Sequence, residues 1–153
     1  MTPGQWFALA NAWALAGWVL LAAGLFLPAR WAAPVLFFGG RLVPLSLCLA
    51  YLAAILRWWG ENPGGFGSLD DVALLFTSKG LLLAGWVHYL AFDLLLGRWQ
   101  ADRVLAAPNA AVLRWWALPC LSATLMFGPA GLLLFLLVVR IGDRVAPASG
   151  PSP

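Results

Sequence analysis

Three ionisable side chains, Arg41, His88 and Asp93, stand inside stretches of sequence that are otherwise free of charge. A guanidinium can hold a carboxylate or satisfy freed carbonyls, an imidazole can move a proton near neutral pH, and a carboxyl group can serve as general acid or base. On a helix, the spacing of His88 and Asp93 turns them about 140° apart around the axis, so they do not share a face. Asp93 aligns with Trp86, Tyr89 and Gly97, whereas His88 aligns with Ala84, Phe92 and Leu95. Each therefore needs a partner from another helix, and Arg41 is the counter-ion candidate for Asp93. Arg98 and Asp102 are spaced to form an ion pair along one helix face.

Other chemistries are excluded by what is missing. One histidine and the two separated cysteines, Cys48 and Cys120, give neither a structural zinc set nor a pair of axial haem ligands, so no metal and no cofactor is expected. The basic residues are scattered singly along a chain of net charge +3, without the run that would track a phosphate backbone, so no nucleic-acid partner is expected.

The elements that carry these residues must sit in lipid. Hydrophobic residues make up 63% of the sequence and charged ones 10%, far from the balance of a soluble domain. The fold class read from this is all-α: a polytopic membrane protein, a bundle of four transmembrane helices in one domain over residues 1–145, with a disordered Pro/Ser-rich tail at 146–153. Residues 6–27 form the first span, long enough to cross about 30 Å of hydrocarbon. The second lies between Arg30 and Arg57 and includes Arg41, bent where Pro34, Gly39, Gly40 and Pro44 surround it. Ser68 and Asp71 fit a helix start, and the third helix is expected to run from near Leu69 through Gly80 to Trp99 as one element. The fourth covers Trp115 to Val139, interrupted by Pro119 and Pro129. Trp6, Trp31, Trp58, Trp59, Trp99, Trp115 and Trp116 fall near helix ends, where an indole is half in lipid. Ala8, Ala12 and Ala16, and Gly80 with Ala84, read as close-packing stripes. Four spans leave Arg57, Lys79, Arg140 and Arg144 on one side and Arg30, Arg98, Arg103 and Arg114 on the other, which leaves the orientation open.

At membrane depth an ionisable side chain costs about 2.5–3.5 kcal/mol on insertion scales, which makes each one a candidate for function. The competing structural reading is a buried Arg41–Asp93 pair that fixes helix packing and a His88 satisfied by a neighbouring carbonyl or hydroxyl.

The stretch Trp86-Val-His88-Tyr-Leu-Ala-Phe-Asp93-Leu-Leu-Leu-Gly-Arg98-Trp99 resembles a signature of the abscisic-acid-deficient-4-like family. Residues 66–76 before it and the Pro119-Cys-Leu-Ser-Ala-Thr-Leu-Met-Phe127-Gly-Pro129-Ala-Gly131 segment after it are similar as well. One departure is Asp102 followed by Arg103, where the family pattern has an acidic residue followed by glycine. The plant founder of that family is needed to form neoxanthin from violaxanthin. The resemblance therefore implies a membrane protein of carotenoid or other prenyl-lipid metabolism, either an isomerase-type enzyme or its accessory. Asp93 and His88 are then the acid–base candidates, with Arg41, Arg98, Trp86 and Tyr89 as charge and substrate partners. The expected partners are membrane lipids, a carotenoid or other prenyl lipid, and a second copy of the chain or a carotenoid enzyme. The expected location is a bacterial cytoplasmic (inner) membrane, because no Arg/Ser-rich leader precedes the first span. A non-enzymatic pigment- or lipid-binding or assembly subunit is the alternative, and a small transporter a weaker third.

Overall fold

The computed structural model describes residues 1–61 and 63–145, and the stretch 146–153 expected to be disordered lies outside them. Among the described residues seven α-helices follow one another: α1 (Pro3–Gly24), α2 (Ala29–Phe37), α3 (Val43–Trp58), α4 (Leu69–Leu75), α5 (Lys79–Ala106), α6 (Ala110–Phe127) and α7 (Pro129–Val145). No strand occurs among the described residues. Among the described residues four stretches are long and apolar enough to cross a membrane by length and composition: α1, the continuous rod made by α2 and α3, α5, and α6.

Local chemistry sets the ends. Thr2 caps α1, accepting from the Gln5 backbone N–H while the Gln5 side chain accepts from the Thr2 N–H at 2.9 Å, and Pro3 occupies the first helical position. Between α2 and α3 the expected bend takes the form of one π-helical turn, Phe38–Leu42, in which the Val43 N–H reaches back to the Phe38 carbonyl. Pro44 has no N–H to donate and its ring crowds the preceding turn, and the widened turn accommodates both.

The third helix is not one element, as the sequence suggests. Ser68 does cap a helix, accepting from Asp71 N–H at 3.1 Å, but that helix stops at Leu75. Ser78 then caps α5 afresh, because a second local cap competes with continuation through Thr77. The expected fourth span also divides. Gly128, at φ 41° and ψ −95°, turns the chain, and Pro129 starts α7. At the far end of α7 a side-chain carbon on Gly142 would lie 3.3 Å from the Asn109 amide nitrogen, so α7 folds back along α6 to where α6 begins.

Helix α5 is the centre, packed against α1, α3 and α6. Its buried side chains include Leu83, Ala84, Val87, Leu90, Ala91, Leu94, Ala101 and Val104. On α1 the inward stripe is Ala10, Ala14, Gly17, Trp18 and Leu21, whereas Ala8, Ala12 and Ala16 are exposed, which corrects the stripe read from sequence. An all-apolar helix has no polar face to give its inward side away, so several small-residue rows fit equally well until the neighbours are known. Gly80, by contrast, is buried flat against Trp58 as its small size suggests. Trp31 and Trp59 are exposed at helix ends, as a belt requires, whereas Trp99, Trp115 and Trp116 are exposed one to two turns inside α5 and α6, and Trp6 and Trp58 are half-buried.

Candidate functional site

Asp93 projects from the middle of α5 into protein and is 8% exposed. What it meets is the turn between α6 and α7. A side-chain carbon on Gly128 would sit 2.7 Å from Asp93 Oδ1, so only glycine leaves room for the carboxyl group and accepts the positive φ. The other carboxyl oxygen, Oδ2, is buried and has no hydrogen-bond partner among the described residues. A buried polar atom left unpaired costs about 1–3 kcal/mol, so such an atom calls for a use or a visiting partner. One turn earlier on α5, the Tyr89 hydroxyl donates to the Leu125 carbonyl at 3.2 Å and is the polar side-chain neighbour of Asp93.

The same face of α5 continues in polar fashion. Gln100 is fully buried and its amide donates to the Thr124 hydroxyl at 2.9 Å, which lies 2.9 Å from the Cys120 carbonyl. Between them, Gly97 gives room to the edge of the Trp18 indole, whose N–H is a second buried atom without a partner among the described residues. Gln100, Thr124, Trp18 and Gly128 escape a search of the sequence for charges, because none is ionisable. The signal available was periodicity, since Gly97 and Gln100 follow Asp93 at the spacing of one helix face.

A cavity of about 550 Å³ opens beside this cluster, between the start of α1 and the first turns of α5. Phe7, Phe76, Leu82 and Trp86 make its walls apolar, Lys79 stands at its rim, and Tyr89 lines it as well as adjoining Asp93. The Trp86 ring is fixed on one side by an indole N–H donated to Asn11 Oδ1 at 3.1 Å, and packs between Phe7 and Tyr89 with centroids at 5.6 and 5.4 Å. The volume is within the range of small-molecule sites.

The remaining sequence candidates lie elsewhere. Arg41 is exposed in the π-helical turn and makes no ion pair among the described residues, so it is not the counter-ion of Asp93. The reason is rotational: the inward side of the turn is taken by Gly39 and Gly40, which pack against α1 and the Arg98 side chain, and that turns Arg41 outward. His88 is exposed too, stacked on Phe92 at 4.5 Å and meeting the edge of Tyr51 at 5.5 Å, a different face of α5 from Asp93. Arg98 and Asp102 form the ion pair that their spacing suggests, bidentate at 2.9 and 2.6 Å, while Arg98 Nη1 is buried without a partner among the described residues. No group of three or more metal-ligating side chains occurs among the described residues.

No curated protein and no solved structure matches this chain. A family model described as ABA DEFICIENT 4-like matches residues 5–135, from the first turn of α1 to the middle of α7, and so takes in Asp93 and Gly128 and, apart from Pro3 and Gly4, the residues that line the cavity, Trp86 and Tyr89 among them. The chain is an integral membrane protein and belongs to the ABA DEFICIENT 4-like family.

Proposed function

We propose that this protein takes one end of a carotenoid or other prenyl lipid into the cavity beside Trp86 and Tyr89, and that Asp93 performs proton transfer on it. The observation that carries the reading is the buried, unpartnered carboxyl oxygen of Asp93 next to a phenol that lines an apolar cavity. The cavity is open at one side, so a polyene longer than the site can extend between α1 and α5 into lipid. An isomerisation suits such a site because it needs no redox partner. The carboxyl group gives a proton to a ligand oxygen, an epoxide for example, and the resulting carboxylate recovers one from a ligand carbon, leaving protein and formula unchanged. Tyr89 positions the ligand oxygen. His88 lies on another face and has no part in this scheme. The setting is the bacterial cytoplasmic membrane, and the family match supports the carotenoid class of ligand.

A second reading has its own observation. Asp93 meets the first turn of α7, where a carboxylate is favoured by the helix dipole by about 0.3–1 kcal/mol, and there it would serve a binding or assembly subunit as a structural anchor.

The test is expression in a carotenoid-producing bacterium, with extracted pigments compared by chromatography for wild type and Asp93→Asn at matched membrane levels. Catalysis predicts a new isomeric pigment with wild type alone, and an Asp93→Asn protein that inserts and melts within about 1 kcal/mol of wild type. Identical pigment profiles, with colour retained by both purified proteins, would replace catalysis by binding. Colourless protein and unchanged profiles would overturn both.

A further inference from the structure

The length of α6 and the return of α7 decide how the chain crosses the membrane. All of α6 would cover about 27 Å, enough to cross by length and composition, but only with Arg114 inside the apolar layer; its uncharged part, Trp115 to Phe127, covers about 20 Å, and that of α7, Pro129 to Val139, about 16 Å, against about 30 Å of hydrocarbon. The turn between them rests on Asp93, which lies about 21 Å along α5 from Lys79 and about 8 Å from Arg98, the first charged residue towards the other end of the helix. Met126 and Phe127 beside the turn are 63% and 67% exposed, which suits lipid tails. The turn is also fit for that depth: the Gly128 N–H donates to the Thr124 carbonyl at 2.8 Å, Pro129 has no N–H, and Gly128 itself is buried in protein. The Gly142–Asn109 approach returns the end of α7 to the side on which α6 started.

We propose that α6 and α7 form a re-entrant hairpin that enters and leaves on one side, so that α1, the α2–α3 rod and α5 are the three complete crossings. This breaks the tie in the sequence. Arg140 and Arg144 move to the side of Arg30, Arg98, Arg103 and Arg114, leaving only Arg57 and Lys79 opposite. The side rich in arginine faces the cytoplasm, and the loop from Gly60 to Thr77 and the start of α1 face outward. The cavity lined by Phe7, Lys79 and Trp86 extends from its Tyr89 end, where the hairpin meets it at the Leu125 carbonyl, towards the opposite half of the bilayer. On the reading of that cavity as the ligand site, the ligand enters from the outer leaflet.

The experiment uses the full chain in a bacterial host. C-terminal fusions to a fluorescent protein and to alkaline phosphatase report the side of the C-terminus. A membrane-impermeant maleimide is applied to intact and opened cells carrying Gly60→Cys or Met126→Cys, with wild type and its two native cysteines as the blank. Gly60 has nothing within 4 Å, and Met126 is lipid-facing, so both variants should fold. The proposal expects a fluorescent, phosphatase-silent C-terminus, Gly60→Cys labelled on intact cells, and Met126→Cys labelled in neither preparation. Labelling of Met126→Cys with Gly60→Cys on intact cells would mean that α6 and α7 both cross, and overturns it. A C-terminus on the same side as Gly60, or an inverted pair, overturns it as well. None of these readouts depends on a pigment, so failure of the topology and failure of the proposed function are distinguishable.

Discussion

Gly131→Ala isolates the closest contact in the hairpin. On an open helix face this change should stabilise, since alanine is the better helix former by about 1 kcal/mol. Here the new methyl group would run into the backbone nitrogen and Cα of Thr124 and its hydroxyl oxygen. Overpacking costs about 1–3 kcal/mol even where side chains can yield, and the backbone of α6 cannot, so α7 must shift outward. The displaced Thr124 hydroxyl also strains its bonds to Gln100 and the Cys120 carbonyl, putting about 1 kcal/mol more at risk. Set against the helix-propensity gain, the net expectation is a loss of about 2 kcal/mol, or roughly 4–8 °C in melting temperature for a chain of this length. The assay is the fraction of monodisperse protein left after heating in one detergent. Gly142→Ala on the same helix is the control, because its new carbon meets only the Asn109 amide nitrogen, at 3.3 Å, and that side chain can move. It should melt at or slightly above wild type. If both variants match wild type, α6 and α7 are not packed as described and the reasoning about the hairpin fails with them.

Thr124→Val leaves the buried Gln100 amide without its partner and should cost about 1–3 kcal/mol, while the Gln100→Leu/Thr124→Val double variant recovers most of that; equal losses from single and double variants would show that the pair is not coupled. Arg41→Gln should change melting by less than about 0.5 kcal/mol, because the side chain is exposed and makes no ion pair among the described residues, and a loss of several kcal/mol would restore the Arg41–Asp93 pair that the structure does not contain.

Membrane residence was legible from composition, because no arrangement of so many apolar residues could be hidden from water in a chain of this size. The all-helical class followed, since backbone groups in lipid must be satisfied within their own segment. Spacing along α5 was enough to separate His88 from Asp93, to group Asp93 with Tyr89 and Gly97, and to pair Arg98 with Asp102, because all these relations lie within one helix. Relations between helices were not legible. Whether Arg41 could reach Asp93 depended on how the π-helical turn is rotated, and the glycines that fix the rotation carry no hydropathy signal. Residues 115–139 were read as a single span because hydropathy registers length and apolarity but not reversal. Only the turn at Gly128, with room for the Asp93 carboxyl where any other residue would put a carbon, folds that length into two antiparallel halves. The sequence by itself thus determined the solvent, the secondary structure and the neighbours along each helix. The tertiary structure alone decided which polar groups are buried together, since that depends on rotations and close approaches between helices that a one-dimensional pattern does not encode.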